Sequence, residues 1–418
     1  MDKLIIDGGR RLCGRVDVQS AKNAVLPLFA AAILTDKPVT IRDAPAISDA
    51  LCMAQILREL GAEVKFQGSD ALIDSSNAHS HEISSALTGE LRSSVFMLGS
   101  LLTRFRRARI AYPGGCDIGL RPIDLHLSAL KRMGVEIAER DGYILCSCDK
   151  LRGAEILLDF PSVGATENIM LAAVKAEGTT ILQGAAKEPE IVDLQNFLNA
   201  MGAKVKGAGT DLIVIEGVKD LSGVVYRPMK DRIEAGTYLI ACAICGGEIE
   251  TRGVRGENIG ALLHKLRENG CKIHSKNDKI NLESRGRLRC NRKIETMPFP
   301  GFPTDLQAQM TALNCTCEGC AMIVENLFET RFKHVPELQK MGADIEVKGR
   351  TAIVRGVPRL HGARIVAGDL RGGAALVLAA LGAEGTSEVL DLSHIDRGYS
   401  DLQYKLKNLG AEVRRVRV

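Results

Sequence analysis

A repeat constrains this chain more than any other feature. Six times, a helix-like apolar segment ends in glycine and an alternating, strand-like segment follows. The copies read LGAEV (60–64), MGVEI (133–137), MGAKV (201–205), NGCKI (269–273), MGADI (341–345) and LGAEV (409–413). Their glycines, from Gly61 to Gly410, are 73, 68, 68, 72 and 68 residues apart. Units of about 70 residues therefore account for the whole chain. Such a period is longer than that of common solenoids and predicts small self-contained subdomains, in one ring or in two groups of three.

Each glycine stands where a helix C-terminus needs a left-handed residue. Met53, Ile56, Leu57 and Leu60 form an amphipathic stripe in the first copy, and Leu402, Leu406 and Leu409 repeat it in the last. Upstream lies a second apolar helix, a second glycine and a β-rich stretch, as in EGTTIL (177–182) and EGTSEVL (384–390). This earlier glycine precedes the repeat glycine by 23 to 25 residues. Each unit thus reads helix, strand, helix, strand, with room for more strands.

One copy departs from the pattern. In the second unit the strand-like ARIAY (108–112) leads into PGGCDIGLRP (113–122). Arg107, before that strand, lies 27 residues from Gly134. A glycine-rich insertion in a regular unit predicts a functional loop or lid. Cys116 lies within it and Arg121 five residues on, a cation able to lower a thiol pKa. Asp117 opposes that effect, so Cys116 reads either as a nucleophile or as an inert loop cysteine.

Composition narrows the classes. Basic residues number 55 against 51 acidic, too even to argue for nucleic acid, and the absence of Trp disfavours base-stacking platforms. Apolar runs such as Ala235–Ile244 are too short to span a bilayer, and the opening residues lack a signal-peptide pattern, so a cytoplasmic, disulfide-poor protein is expected. Most of the twelve cysteines then read as small core residues. Cys242 and Cys245 fall in a helical apolar run, and Cys315, Cys317 and Cys320 lack the second half of a zinc pattern, so no metal is expected.

Several charged residues stand where helices begin. Lys22 in SAKNA is badly placed for the helix dipole unless it joins backbone N–H groups around an anion; otherwise it is a solvated lysine. Arg92 in GELRSS, Arg331 in FETRFKH, Arg371 in GDLRGG and Arg397 in HIDRGY raise the same choice. Arg104, Arg106, Arg107 and Arg109 read as a solvated strand edge. Asp305, in FPTD before a helix, reads as an N-cap or as a base for a substrate hydroxyl. P-loop, dinucleotide and nucleophile-elbow motifs are absent from the sequence.

Taken together, SAKNAVLP, LRSS, PGGCDIGLRPIDLH, PSVGAT, AAKEPEIVDLQNFL, FPTDLQAQ, FETRFKHVPEL, DLRGGAALVLA and HIDRGY resemble, in order and over nearly the full chain, the UDP-N-acetylglucosamine 1-carboxyvinyltransferases of the enolpyruvyl transferase family. The resemblance implies an α/β fold, a two-domain inside-out α/β barrel of six βαβαββ repeats. One domain would span 21–229; the other would combine 1–20 with 230–418.

It also implies transfer of the enolpyruvyl group of phosphoenolpyruvate to UDP-N-acetylglucosamine, with no cofactor, no nucleic-acid or membrane partner, and function as a monomer. Lys22 and Asn23 would meet phosphoenolpyruvate. Cys116 would protonate its methylene carbon and form a thioether at C2. Asp305 would take the hydroxyl proton. Arg92, Arg121 and Arg397 would hold phosphate or carboxylate, with Arg331 and Arg371 in the same charged cleft. Arg121, Pro122, Ile123, Asp124 and Leu125, the turn Ser162-Val163-Gly164, and Leu327 would line the UDP-sugar pocket. The alternatives are a shikimate-type enolpyruvyl transferase, disfavoured by the PGGC loop, and a catalytically weak or regulatory paralogue. Gly372-Gly373, where relatives carry Ala or another small residue, is expected to loosen the helix start by up to about 1 kcal/mol each.

Overall fold

The repeat glycines do what their spacing predicts. In the computed structural model, which describes residues 2–112 and 123–417, all six have φ between 90° and 108°. The earlier glycines Gly178, Gly247, Gly319 and Gly385 are also left-handed. In the second unit that place is taken by Arg106, with φ 62° at the end of helix Met97–Phe105. The strand that follows is Arg107–Ala111, one residue earlier than expected, so the left-handed residue is Arg106 and not Arg107. An arginine here accepts the steric cost that glycine avoids.

The described residues form six four-stranded sheets with one common order. In one, Glu155–Leu157 pairs parallel with Thr179–Gln183. Leu212–Glu216 is antiparallel to that strand, and Lys204–Lys206 forms the far edge. Helix Val163–Ala173 makes the crossover that a parallel pair requires. Helix Pro189–Ala200 then leads into the antiparallel pair, completing a βαβαββ unit.

Three sheets take a strand from far along the chain. Asp2–Asp7 inserts between Thr386–Leu390 and Glu412–Arg417. Leu12–Asp17 joins Gly247–Arg252, and Val224–Tyr226 joins Val39–Ile41. The chain accordingly divides into two compact units. A terminal unit holds 2–19 and 230–417; a central unit holds 20–112 and 123–229.

Each unit is built around three buried helices. In the terminal unit they are Arg232–Cys245, Gln307–Asn314 and Leu370–Gly382, packed on one another. In the central unit they are Lys22–Ala32, Met97–Phe105 and Val163–Ala173. Nearly every residue of these helices is buried, polar ones such as Gln309 and Glu167 included, as in a helix enclosed by other elements. Amphipathic helices such as Ser48–Glu59 bury one face, including Met53, Ile56 and Leu57, under a sheet. Helices therefore lie inside each unit and sheets outside.

The eleven described cysteines are all free thiols. Cys242 and Cys245 lie in a buried helix, where burial pushes the Cys245 thiol up to about 12. Among the described residues no group of His, Cys, Asp and Glu is arranged to hold a metal ion, and no helix is long and apolar enough to cross a membrane. The expected solvated edge at Arg104 needs correcting. Its guanidinium is mostly buried and donates to the Ile33 carbonyl at 3.0 Å and the Ser75 carbonyl at 2.7 Å, so it fastens a helix end rather than facing water.

Candidate active site

Within each unit several expected site residues stand at the start of a buried helix, where unpaired backbone N–H groups favour anions: Asp305 and Arg371 in the terminal unit, Lys22, Asn23 and Ser162 in the central one. In the terminal unit, Asp305 lies in the short 3₁₀ turn Thr304–Leu306 that opens helix Gln307–Asn314. The N-cap positions of this turn and of the helix are Pro303 and Leu306, so Asp305 is not the N-cap residue. Its Oδ1 accepts from Arg331 Nη2 at 2.7 Å, and its Oδ2 from Arg371 Nη2 at 2.9 Å. Both arginine side chains are only 4% exposed, against 25% for that of Asp305. Burial opposes the charge on Arg371, but Asp305, Tyr399 and Asp231 outweigh it and hold the guanidinium above its usual range. The result is a partly exposed carboxylate oriented between two fixed cations.

Neighbours lock this arrangement. Arg371 Nη1 also donates to Tyr399 Oη at 3.2 Å, and that hydroxyl lies 2.9 Å from Thr237 Oγ1 on the adjacent buried helix. Buried Glu325 ties two loops together. Its Oε2 accepts from Thr304 Oγ1 at 2.8 Å, and its Oε1 accepts from the backbone N–H of Leu327, also at 2.8 Å. Asp305 and Leu327 are thereby set by one carboxylate. Arg397 is half-buried at the end of helix Ser393–Asp396. The next residue, Gly398, lies so close to Leu370 that a Cβ there would come within 2.9 Å.

The helix start that carries the glycine pair after Arg371 is capped. Asp369 caps it, accepting from the N–H groups of Arg371 and Gly372 at 2.9 Å each. A Cβ on Gly372 would lie 2.6 Å from Asp369 Oδ2. One on Gly373 would lie 2.8 Å from the Ala367 methyl. The cap and the packing leave little room for a Cβ at either position.

In the central unit Lys22 and Asn23 are the first two residues of helix Lys22–Ala32. Lys22 Nζ lies 2.9 Å from Oδ2 of buried Asp49, at the start of helix Ser48–Glu59. Lys22 is thus a fixed cation, not a solvated one. Arg92 opens the 3₁₀ turn Arg92–Phe96, which contacts that first helix.

Ser162, Val163 and Gly164 form a helix start rather than a free turn. Ser162 is the N-cap and accepts from Ala165 N–H at 3.3 Å. A Cβ on Gly164 would sit 3.2 Å from the His126 ring and 3.3 Å from Phe96. His126, on helix Asp124–Arg132, is 3.0 Å from Asn168, and this contact joins that helix to the core. Ile123 is buried, Leu125 packs against the same core, and Asp124 is exposed. Cys116, Arg121 and Pro122 lie outside the described residues, as does the rest of the glycine-rich insertion.

The same unit buries carboxylates of another kind. Glu167 is 1% exposed, and neither of its oxygens has a hydrogen-bond partner. Burial, then the charges of Glu190 and Glu188, raise its pKa well above the ordinary value. Asp193 is pushed up to about 6 by burial, partly offset by bonds from Tyr226 and the Met229 N–H. Asp49, Glu325, Tyr399 and Glu167 were not singled out from the sequence. The only available signal was a charged or phenolic residue inside an otherwise apolar repeat element.

The family model for EPSP synthase (3-phosphoshikimate 1-carboxyvinyltransferase) matches residues 6–406. UDP-N-acetylglucosamine 1-carboxyvinyltransferase 2 of Caldanaerobacter subterraneus subsp. tengcongensis is 50% identical over 100% of both chains. UDP-N-acetylglucosamine 1-carboxyvinyltransferase 1 of Symbiobacterium thermophilum is also 50% identical, over 99% of this chain and 95% of its own. Among solved structures, the enolpyruvyl transferase NikO from Streptomyces tendae superposes with a TM-score of 0.89 at 27% identity, covering 99% of this chain and 98% of its own. EPSP synthase from Acinetobacter baumannii shares the fold, with a TM-score of 0.77 at 16% identity over 100% of both chains. With six βαβαββ repeats, a matching family model and full-length relatives at half identity, this chain belongs to the EPSP synthase family, among its UDP-N-acetylglucosamine 1-carboxyvinyltransferases.

Proposed function

We propose that the chain transfers the enolpyruvyl group of phosphoenolpyruvate to the 3-hydroxyl of UDP-N-acetylglucosamine and releases phosphate. The observation that carries this reading is the half identity, over the whole length, to enzymes of that name. A shikimate-type activity is not favoured, because the EPSP synthase likeness is one of fold at 16% identity. The carboxylate between two arginines argues against a paralogue that has lost catalysis.

The chemistry divides among the residues as follows. Cys116 gives a proton to the methylene carbon, which makes C2 electrophilic. The sugar oxygen attacks C2 as Asp305 takes its proton. Loss of a methyl proton and of phosphate then restores the double bond. Lys22, Arg92, Arg121 and Arg397 stabilise phosphate and carboxylate charge, and Asn23 orients phosphoenolpyruvate. Arg331 and Arg371 orient Asp305. Ser162, Val163, Gly164, Leu327 and the run from Arg121 through Pro122, Ile123 and Asp124 to Leu125 bind the UDP-sugar. Neither a metal nor an organic cofactor takes part.

In the cell the reaction serves peptidoglycan precursor synthesis in the cytoplasm, and through it cell shape and division. The chain acts as a monomer, and fosfomycin blocks it at Cys116. Phosphate release from phosphoenolpyruvate that requires UDP-N-acetylglucosamine tests the assignment. Release that requires shikimate 3-phosphate instead, or no release with either acceptor, overturns it.

A further inference from the structure

The short segment Arg397-Gly398-Tyr399-Ser400 joins two parts of the proposed chemistry that lie far apart in sequence. Arg397 opens it. Tyr399, two residues on, is buried, and its hydroxyl meets Arg371, the arginine that also holds Asp305. The direction of these bonds follows from the donors present. Thr237 Oγ1 donates to the Ile233 carbonyl at 2.9 Å, so its oxygen is left to accept from Tyr399 Oη, also at 2.9 Å. The lone pairs of Tyr399 are then turned to Arg371 Nη1 at 3.2 Å, while Nη2 of the same guanidinium donates to Asp305 Oδ2 at 2.9 Å. One row of donors runs from Arg371 through Tyr399 and Thr237 to a helix carbonyl.

A second side chain holds the backbone on either side of Tyr399. Gln19 Nε2 donates to the Gly398 carbonyl at 2.9 Å, and Gln19 Oε1 accepts from the Ser400 N–H at 2.9 Å. Gln19 is itself fixed. Its N–H donates to Oε2 of buried Glu234 at 2.7 Å, and its carbonyl accepts from the Asp231 N–H at 2.9 Å. Gly398 lets the segment lie against Leu370, the residue before Arg371, where a Cβ would come within 2.9 Å.

We propose that Gln19 and Tyr399 are positioning residues that give Arg397 and Asp305 a common support. Tyr399 sets the Arg371 guanidinium and through it the carboxylate. Gln19 sets the backbone of the segment that carries Arg397. The inference rests on the enolpyruvyl transfer reading above and extends it: the arginine that holds phosphoenolpyruvate and the base that takes the hydroxyl proton are not placed independently. A displacement of ~1 Å in such groups costs ~10²-fold in rate, so the support matters to turnover although neither residue touches the reacting atoms.

The test uses the full chain with phosphoenolpyruvate and UDP-N-acetylglucosamine. Tyr399→Phe removes one oxygen and keeps the ring. Its kcat should fall about ten- to a hundredfold, with KM for both substrates within about threefold of wild type. Added to Arg371→Lys it should cost nothing further, because it acts through that guanidinium. Gln19→Met keeps the length of the side chain and loses both bonds. Its affinity for phosphoenolpyruvate, read by calorimetric titration, should fall about tenfold, and kcat should fall with it. Thr237→Val removes the acceptor of the Tyr399 proton and reads the same row, with a smaller loss of kcat, if Tyr399→Phe does not fold. An unchanged kcat in Tyr399→Phe, losses that multiply with Arg371→Lys, or wild-type affinity for phosphoenolpyruvate in Gln19→Met would overturn the proposal. Absence of phosphate release by the wild type would instead overturn the reading of the reaction, and the Gln19→Met titration would still decide whether the clamp sets the anion site.

Discussion

In the terminal unit the Asp305 carboxylate accepts from two buried arginines, while in the central unit Glu167 is buried with neither oxygen partnered. Both residues stand near the start of a central helix of their unit. Arginine at the first place favours the ionised form, and apolar burial at the second favours the protonated form. The repeat therefore dictates where a side chain stands, and the groups folded around it, from its own copy or the next, decide its charge. A carboxylate that must accept a proton during turnover needs the first environment. The second suits an acid that stays neutral.

The largest effect should come from removing the ionised carboxylate. Asp305→Asn keeps the shape and one acceptor oxygen, but the amide is no base. Turnover should fall by ~10²–10⁴-fold, with UDP-sugar affinity within about tenfold. Steady-state kinetics with calorimetric titration of the UDP-sugar checks both. More than about a tenth of wild-type kcat would remove Asp305 from proton transfer.

The terminal network also depends on its helix start. Gly372→Ala pushes a methyl against Oδ2 of the capping Asp369 carboxylate at 2.6 Å and towards His334 Cβ at 3.1 Å. A loss of about 1–3 kcal/mol in urea unfolding is expected, together with reduced kcat as Arg371 shifts. Unchanged stability would mean that the cap can relax at no cost.

How much of this was legible beforehand follows from the range of each interaction. The six glycines were readable because a left-handed backbone is a local requirement, satisfied by the residue itself. The second copy hid its counterpart of the earlier glycines, since Arg106 adopts the left-handed conformation without glycine's signature. Asp305 remained ambiguous because the groups that decide its role come from positions 331 and 371. Asp49 and Glu325 escaped notice for the same reason: each is one carboxylate among many until folding sets Lys22 or Thr304 against it. The crowding around the glycines at 372 and 373 was not legible, because helix propensity speaks of an isolated helix and not of its neighbours.

Lys22 offers a finer probe, because its cation is held by a neighbour within the central unit. Asp49→Asn keeps the size of the residue and weakens its grip on the Lys22 ammonium. KM for phosphoenolpyruvate should rise by about tenfold, with a smaller change in kcat, since a positioning contact acts on binding more than on proton transfer. A KM within about twofold of wild type would assign Asp49 to folding alone.

The subtlest test concerns the protonated side of the comparison, where the sign of a pH effect matters more than its size. Glu167 has its pKa raised in the folded protein by burial and by Glu190 and Glu188. Below the unfolded value both states carry the proton, so stability there does not depend on this group. As pH rises past that value the unfolded chain releases its proton while the folded one keeps it. Each further unit then favours unfolding by up to about 1.4 kcal/mol, until the folded group ionises too. Asp193 adds a slope of the same sign between 3.8 and about 6. Glu167→Gln removes the first slope and leaves the second, because an amide of the same size does not titrate. Urea unfolding curves of variant and wild type should therefore keep a constant offset below about pH 4, and the variant should gain relative stability as pH rises. An offset that stays constant up to about pH 8 would show that Glu167 is ionised in the folded protein, and would remove the contrast with Asp305.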